Sequence, residues 1–131
     1  MSWTKKTVND MLTMVESLTL PDSEGANVTL VNTSNITSDI NNKKLIVRLA
    51  VTEKCTGDGA LDCRVQGSID GTNWTNVLTT LSMDIDPTAL NSAMAIADLS
   101  AYFAPYWRIQ VFSDGTDTVD DATVQVSLAV G

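Results

Sequence analysis

The chain has 131 residues, of which 44% are hydrophobic, with eight Lys and Arg against sixteen Asp and Glu and no histidine. That length forms one ordinary domain able to bury its own core, while a formal charge of −8 opposes nucleic acid, whose phosphates demand a basic footprint. Without histidine there is no Ser-His or Cys-His pair, and no run reaches the roughly 18 apolar residues of a membrane helix, so the expectation is a protein that is not an enzyme and binds neither nucleic acid nor membrane.

The opening MSWTKKTVNDMLTMVES places Val8, Met11, Leu12 and Val15 at i, i+3, i+4 and i+7. Thr7 with Asp10 resembles a capping box. This spacing predicts a short N-terminal helix or arm within residues 1–24, which either closes one end of the core or docks on a neighbouring subunit, followed by a single domain over residues 25–131. The segment has neither the apolar core nor the cleavage site of a secretory leader, so the expected place of synthesis is the cytoplasm.

After Pro21 the pattern turns to period two. NVTLVN reads as a weak strand, and in LIVRLAVTE the residues Leu45, Val47, Leu49 and Val51 share one face. Cys55 and Cys63 bracket TGDGALD, which reads as a hairpin connection bending at Gly57 and Gly59. Two readings of the pair stay open there: a disulfide formed after the protein leaves a reducing compartment, and two thiols. Two cysteines without histidine do not make a tetrahedral zinc site, and neither metal nor cofactor is expected.

CRVQGSID and WTNVLTTL flank Asp70-Gly71, a strong hairpin signal because Gly tolerates the positive φ of a primed turn. Trp74 then opens the next strand at the sandwich edge, as an interface rim or a lid on the core. SAMAIADL is a weaker strand that ends in a corner from Leu99 to Pro105. In YWRIQVFSD the residues Trp107, Ile109 and Val111 alternate inward, and ATVQVSLAV closes the chain with Val124, Val126, Leu128 and Val130 inward. Between these two, SDGTDTVDD gathers Asp114, Asp117, Asp120 and Asp121; it lacks the EF-hand spacing and reads as a hairpin loop rather than a calcium site. Seven or eight strands with polar turns describe an all-β protein, an antiparallel β-sandwich of jelly-roll or immunoglobulin-like order.

The stretches GSIDGTNWTNV, ADLSAYFAPYWRIQVFSDGTDT and TVQVSLAV, spread over residues 43–131, resemble the small β-sandwich structural proteins of tailed bacteriophage particles. The S-x-DG-x-x-W hairpin and the later Y-W-R-I strand are most similar to those of head decoration, or cement, proteins. The resemblance implies a non-enzymatic structural protein of the virion, made in the host cytoplasm, assembled as a trimer and carried on the capsid surface. Its partner would be the major capsid protein, and its role to stabilise contacts between capsid subunits. The residues expected at the interface are Val8, Met11, Leu12 and Val15 in the N-terminal segment and Asp70, Asn73 and Trp74 at one end of the sandwich. Two alternatives accompany this reading: a carbohydrate-binding sandwich that stacks a sugar on an exposed aromatic, and a tail or baseplate adaptor.

Overall fold

The computed structural model describes residues 3–20, 30–55, 60–79, 81, 83, 85–113 and 122–131. Among them lie nine strands: β1 (Thr4–Val8), β2 (Met11–Thr19), β3 (Leu30–Asn32), β4 (Lys44–Glu53), β5 (Leu61–Ser68), β6 (Thr75–Leu78), β7 (Ser92–Asp98), β8 (Tyr106–Ser113) and β9 (Thr123–Val130). One turn of 3-10 helix, Ser38–Ile40, interrupts the connection from β3 to β4.

The first sheet has the order β1-β2-β9-β4-β7 and the second β3-β8-β5-β6. All neighbours are antiparallel. The partners β2 and β9, β3 and β8, β4 and β7, β5 and β6 are those of one long hairpin folded over on itself. That is the jelly-roll order, in which two Greek keys wrap two sheets around one core. The immunoglobulin-like alternative is thereby set aside, and β1 is an extra strand added beside β2.

Alternation places the core where the sequence put it. Leu45, Val47, Leu49 and Val51 of β4, Trp107, Ile109 and Val111 of β8, and Val124, Val126, Leu128 and Val130 of β9 are all buried. Each large aliphatic side chain taken fully from water contributes roughly 1.5–3 kcal/mol, so these rows fix which face of each sheet turns inward.

The helix expected near the N-terminus does not form. Val8 ends β1, Met11 begins β2, and between them Asn9 and Asp10 both have positive φ, at 50° and 65°. Positive φ at both central residues is the signature of a type I′ hairpin loop, for which Asn and Asp are favoured. The helical spacing of Val8, Met11, Leu12 and Val15 arises by chance from two strands joined at this turn. β2 buries Met14, Glu16 and Leu18 on its inward side and pairs with β9 from Leu12 opposite Val130 to Thr19 opposite Thr123. A ladder of that length outweighs what a short isolated helix rich in Thr and Val could gain.

Two predicted hairpins are also corrected. β4 and β5 belong to different sheets, so the segment holding Cys55 crosses from one sheet to the other instead of turning back. Cys55 and Cys63 are both buried and no disulfide joins them. Likewise β8 and β9 lie in different sheets. A hairpin at either place would leave both strands on one side of the core, whereas crossing lets each sheet cover the other. The cluster Asp114, Asp117, Asp120 and Asp121, weighed as a calcium site and read as a hairpin loop, lies outside the described residues.

Candidate functional site

Strand directions decide which connections meet. β4 and β8 begin, and β5 and β7 end, at the same end of the sandwich, because Lys44 lies opposite Asp98 and Ser68 opposite Tyr106. That end therefore collects the β5–β6 turn, the connection from β7 to β8 and the last residues before β4. Asn41, just before β4, ties that segment to the β7–β8 connection and to β8: its Oδ1 accepts the Trp107 indole N–H at 2.7 Å and the Ala104 N–H at 2.9 Å. The Asn42 N–H donates to the Tyr102 carbonyl at 2.9 Å.

The β5–β6 connection is longer than the two-residue turn expected. β5 stops at Ser68 and β6 starts at Thr75. Within it Asp70 acts as the acceptor of an Asx-type turn, since its Oδ1 takes the N–H groups of Thr72 at 2.9 Å and Asn73 at 2.8 Å, while its Oδ2 takes the Asn73 side-chain amide at 2.7 Å. The Ser68 hydroxyl lies 3.0 Å from Asp70 Oδ1 and 2.6 Å from the Asn73 carbonyl, and accepts the Gly71 N–H at 2.9 Å. Donors converging on the ionised form, the Asn73 N–H foremost and then that of Thr72, hold the Asp70 carboxyl well below the usual carboxylate range. Gly71 has φ +76° and packs against the Tyr106 ring, which is where the loop needs a residue without a side chain.

Beside this turn opens a cleft of about 370 Å³, rimmed by Ile69, Asp70, Asn73, Tyr102 and Phe103 and floored by Trp107. Ile69 is 86% exposed, Phe103 78% and Tyr102 43%. Three large apolar side chains standing in water around one depression, on a loop fixed by hydrogen bonds, make a preformed contact surface.

Trp74 is placed differently. The Arg108 guanidinium lies over its ring, 4.3 Å from the centroid, and Arg108 Nε donates to Gln66 Oε1 at 2.7 Å. Gln66 in turn donates to Asn76 Oδ1 at 2.7 Å. A second such pair, Arg64 over Phe112 at 4.1 Å, stands on the same outward face of the second sheet. With a cation on one face of its ring, Trp74 belongs to a polar ladder more than to a platform for a planar ligand.

Of the residues expected at an interface, the structure brings Asp70 and Asn73 to the cleft and sets Trp74 just behind it. Val8 and Met11 reach the same end of the molecule but at the far edge, because β1 and β6 are opposite edge strands. Leu12 leans on the core and Val15 lies on the outer face of the first sheet. The sequence reading missed Ile69, Tyr102 and Phe103. For Tyr102 and Phe103 the signal was an aromatic pair inside the turn-rich corner LSAYFAP, where neither strand nor helix could bury it; Ile69 carried none beyond its place beside Asp70-Gly71. Among the described residues no three Cys, Asp or Glu side chains stand where they could hold a metal ion, and no helix is long and apolar enough to cross a membrane.

No protein-family model matches the chain, and no curated protein sequence does. Among solved structures it is similar to that of the infectious bursal disease virus Gx strain, at 13% identity and a TM-score of 0.47, over 90% of this chain and 37% of that one. It is also similar to the CBM22-1 and GH10 modules of Clostridium thermocellum endo-1,4-beta-D-xylanase 10B complexed with xylohexaose, at 13% identity and a TM-score of 0.45, over 85% of this chain and 25% of that one. A third is a structure of promiscuous carbohydrate-binding modules from the β-sandwich superfamily, with 9% identity, a TM-score of 0.43 and coverage of 98% and 54%. The chain thus spans between a quarter and about half the length of these structures.

Proposed function

We propose that the protein is a non-enzymatic structural component of a virus particle, a head decoration protein of a tailed phage that binds the outside of the capsid and stabilises contacts between capsid subunits. The observation that carries this reading is the exposed trio Ile69, Tyr102 and Phe103 around a rigid turn. Apolar anchors on a preorganised loop are what a protein partner can bury with little ordering cost. The partner in this reading is the major capsid protein, and a surface of −8 net charge keeps the bound copies from seeking the nucleic acid within.

A second reading is favoured by the same cleft, since an aromatic rim beside Asp70 and Asn73 also suits a sugar. Sugar recognition requires unengaged polar groups converging on the ligand, and here both Asp70 oxygens and the Asn73 amide are committed to each other and to the turn. That commitment favours a protein surface over a glycan.

The test is immunogold labelling of virus particles released by cells that make the protein. Label on the heads, reduced when Ile69 and Phe103 are both replaced by Ala, is the expected result. Label at the tail would transfer the protein to an adaptor role, and binding on a glycan array that falls with Phe103→Ala would establish the sugar reading instead.

A further inference from the structure

We propose that two copies of this chain join through β7, edge to edge and antiparallel about a two-fold axis at Ala95, so that their first sheets become one continuous sheet.

The two sheets have four edge strands, β1, β7, β3 and β6. An exposed strand edge is a template for another strand, and proteins blunt it with lysine, proline or short length. β1 carries Lys5 and Lys6 within a fully exposed strand, while β3 and β6 have three and four residues. β7 has neither safeguard. It runs for seven residues, SAMAIAD, with no lysine, no proline and one charge at its very end. No described strand pairs with its outer side.

Hydrogen bonds identify which groups of β7 face outward. The Val51 N–H donates to Asn91 O and the Leu99 N–H to Lys43 O, each at 2.9 Å. In an antiparallel ladder such residues alternate with ones that turn both N–H and C=O away, so Ala93, Ala95 and Ala97 bond inward to β4, and Ser92, Met94, Ile96 and Asp98 present theirs to the outside. The side chains of Met94 and Ile96 are also exposed, at 68% and 71%.

The strand is self-complementary in that register. A two-fold axis at Ala95 sets Met94 against Ile96 of the second copy and Ser92 against its Asp98. Every outward-facing residue then meets another outward-facing residue, giving about eight new backbone hydrogen bonds. Apolar side chains meet apolar ones on the outer face, continuing the row in which Ile46 lies opposite Ile96. The only charge in the strand falls opposite a serine, so no like charges are brought face to face. On the inner side the seam carries only the methyl groups of alanines, which leaves room for the two edges to approach. The contact is isologous and therefore closes at two copies.

This contact is separate from the capsid reading: a monomer that labels phage heads would overturn the pairing and leave that reading standing. Sedimentation equilibrium of the full chain over a wide concentration range tests it. A mass twice that of one chain, halved by Ile96→Pro, is expected, because proline removes an outward N–H and leaves the bonds to β4 intact. Met94→Lys with Ile96→Lys should also halve the mass by opposing like charges across the seam, and Met94→Lys with Ile96→Glu should restore it; this pair decides the question if Ile96→Pro proves unfolded by circular dichroism. A mass of one chain or of three for the unaltered protein, or an unchanged dimer with both lysines in place, would overturn the pairing.

Discussion

Glu16 on β2 holds Ser34, beyond the end of β3, across the open edge of the sandwich. Its carboxylate takes the Ser34 N–H at 2.9 and 3.2 Å and the Ser34 hydroxyl at 2.9 Å, and Glu16 is only 3% exposed. The same serine's carbonyl accepts the Trp3 indole N–H at 2.9 Å, so the N-terminal segment is fastened to its own sandwich at this point. Hydrogen bonds to a charged group contribute roughly 1.5–3 kcal/mol each way they are measured, and an orphaned buried donor adds to the loss. Glu16→Ala should lower the urea-unfolding free energy by roughly 2–3 kcal/mol, with a smaller loss for Glu16→Gln, which keeps one acceptor oxygen. A change within error for the alanine variant would mean that the sheets are held together at this edge by packing alone.

Gly67 lies directly against the Trp107 indole. A Cβ there would stand 3.3 Å from Trp107 Cζ3 and 3.4 Å from Val77 Cγ2. Neither neighbour is the free end of a flexible chain, so Gly67→Ala should overpack the core and cost about 1–3 kcal/mol. Thermal unfolding measures the cost, and a shift in tryptophan emission would show the indole giving way.

Arg108 covers Trp74 at a half-exposed site, where a cation over a ring is worth about 0.5–1 kcal/mol. Arg108→Ala should therefore cost little stability yet move the fluorescence of Trp74 to longer wavelength as water reaches the ring. The reverse pattern, a large loss with unchanged emission, would relocate the importance of Arg108 to its bond with Gln66.

Acid and alkali should weaken the fold through different groups. Asp70 has its carboxyl held below the ordinary value of 3.8 by the Asn73 N–H and the other donors of the turn. Its contribution is complete above that ordinary value and is lost as the pH falls below it toward the folded-state value. In Asp70→Ala the acid limb of the stability profile should be flatter than in the unaltered protein.

The Cys63 thiol moves the other way, pushed up from 9.0 by burial and by the neighbouring Asp62. The folded protein keeps it neutral, so stability is unaffected below that value and declines above it, where only the unfolded chain can ionise. Iodoacetamide at mildly alkaline pH should leave Cys63 unmodified until denaturant is added. Labelling of Cys63 in the native protein would show that the core opens locally.

Period-two alternation made β4, β5, β8 and β9 legible because each has one face in the core, and burial enforces the register that the pattern announces. β2 was misread because the chain doubles back at Asn9-Asp10, and two half-patterns joined there imitate a helical stripe. The pairing of sheets was not legible at all: whether TGDGALD turns back or crosses over depends on which side of the core lacks a strand, a property of the whole chain. At the end of the sandwich Asp70 and Asn73 were picked out by turn chemistry, while Ile69, Tyr102 and Phe103 escaped because an exposed apolar side chain in a loop follows no period.

The doubled hairpin has a temporal side. β9, the last strand, lies between β2 and β4, so Leu12 and Leu45 both find Val130 as their neighbour. The first sheet thus stays split in two until β9 takes its place, and contacts so distant in sequence form slowly. Until β9 is in place the apolar strands on either side of it stay uncovered, and loss of β9 would remove the strand that joins the two halves.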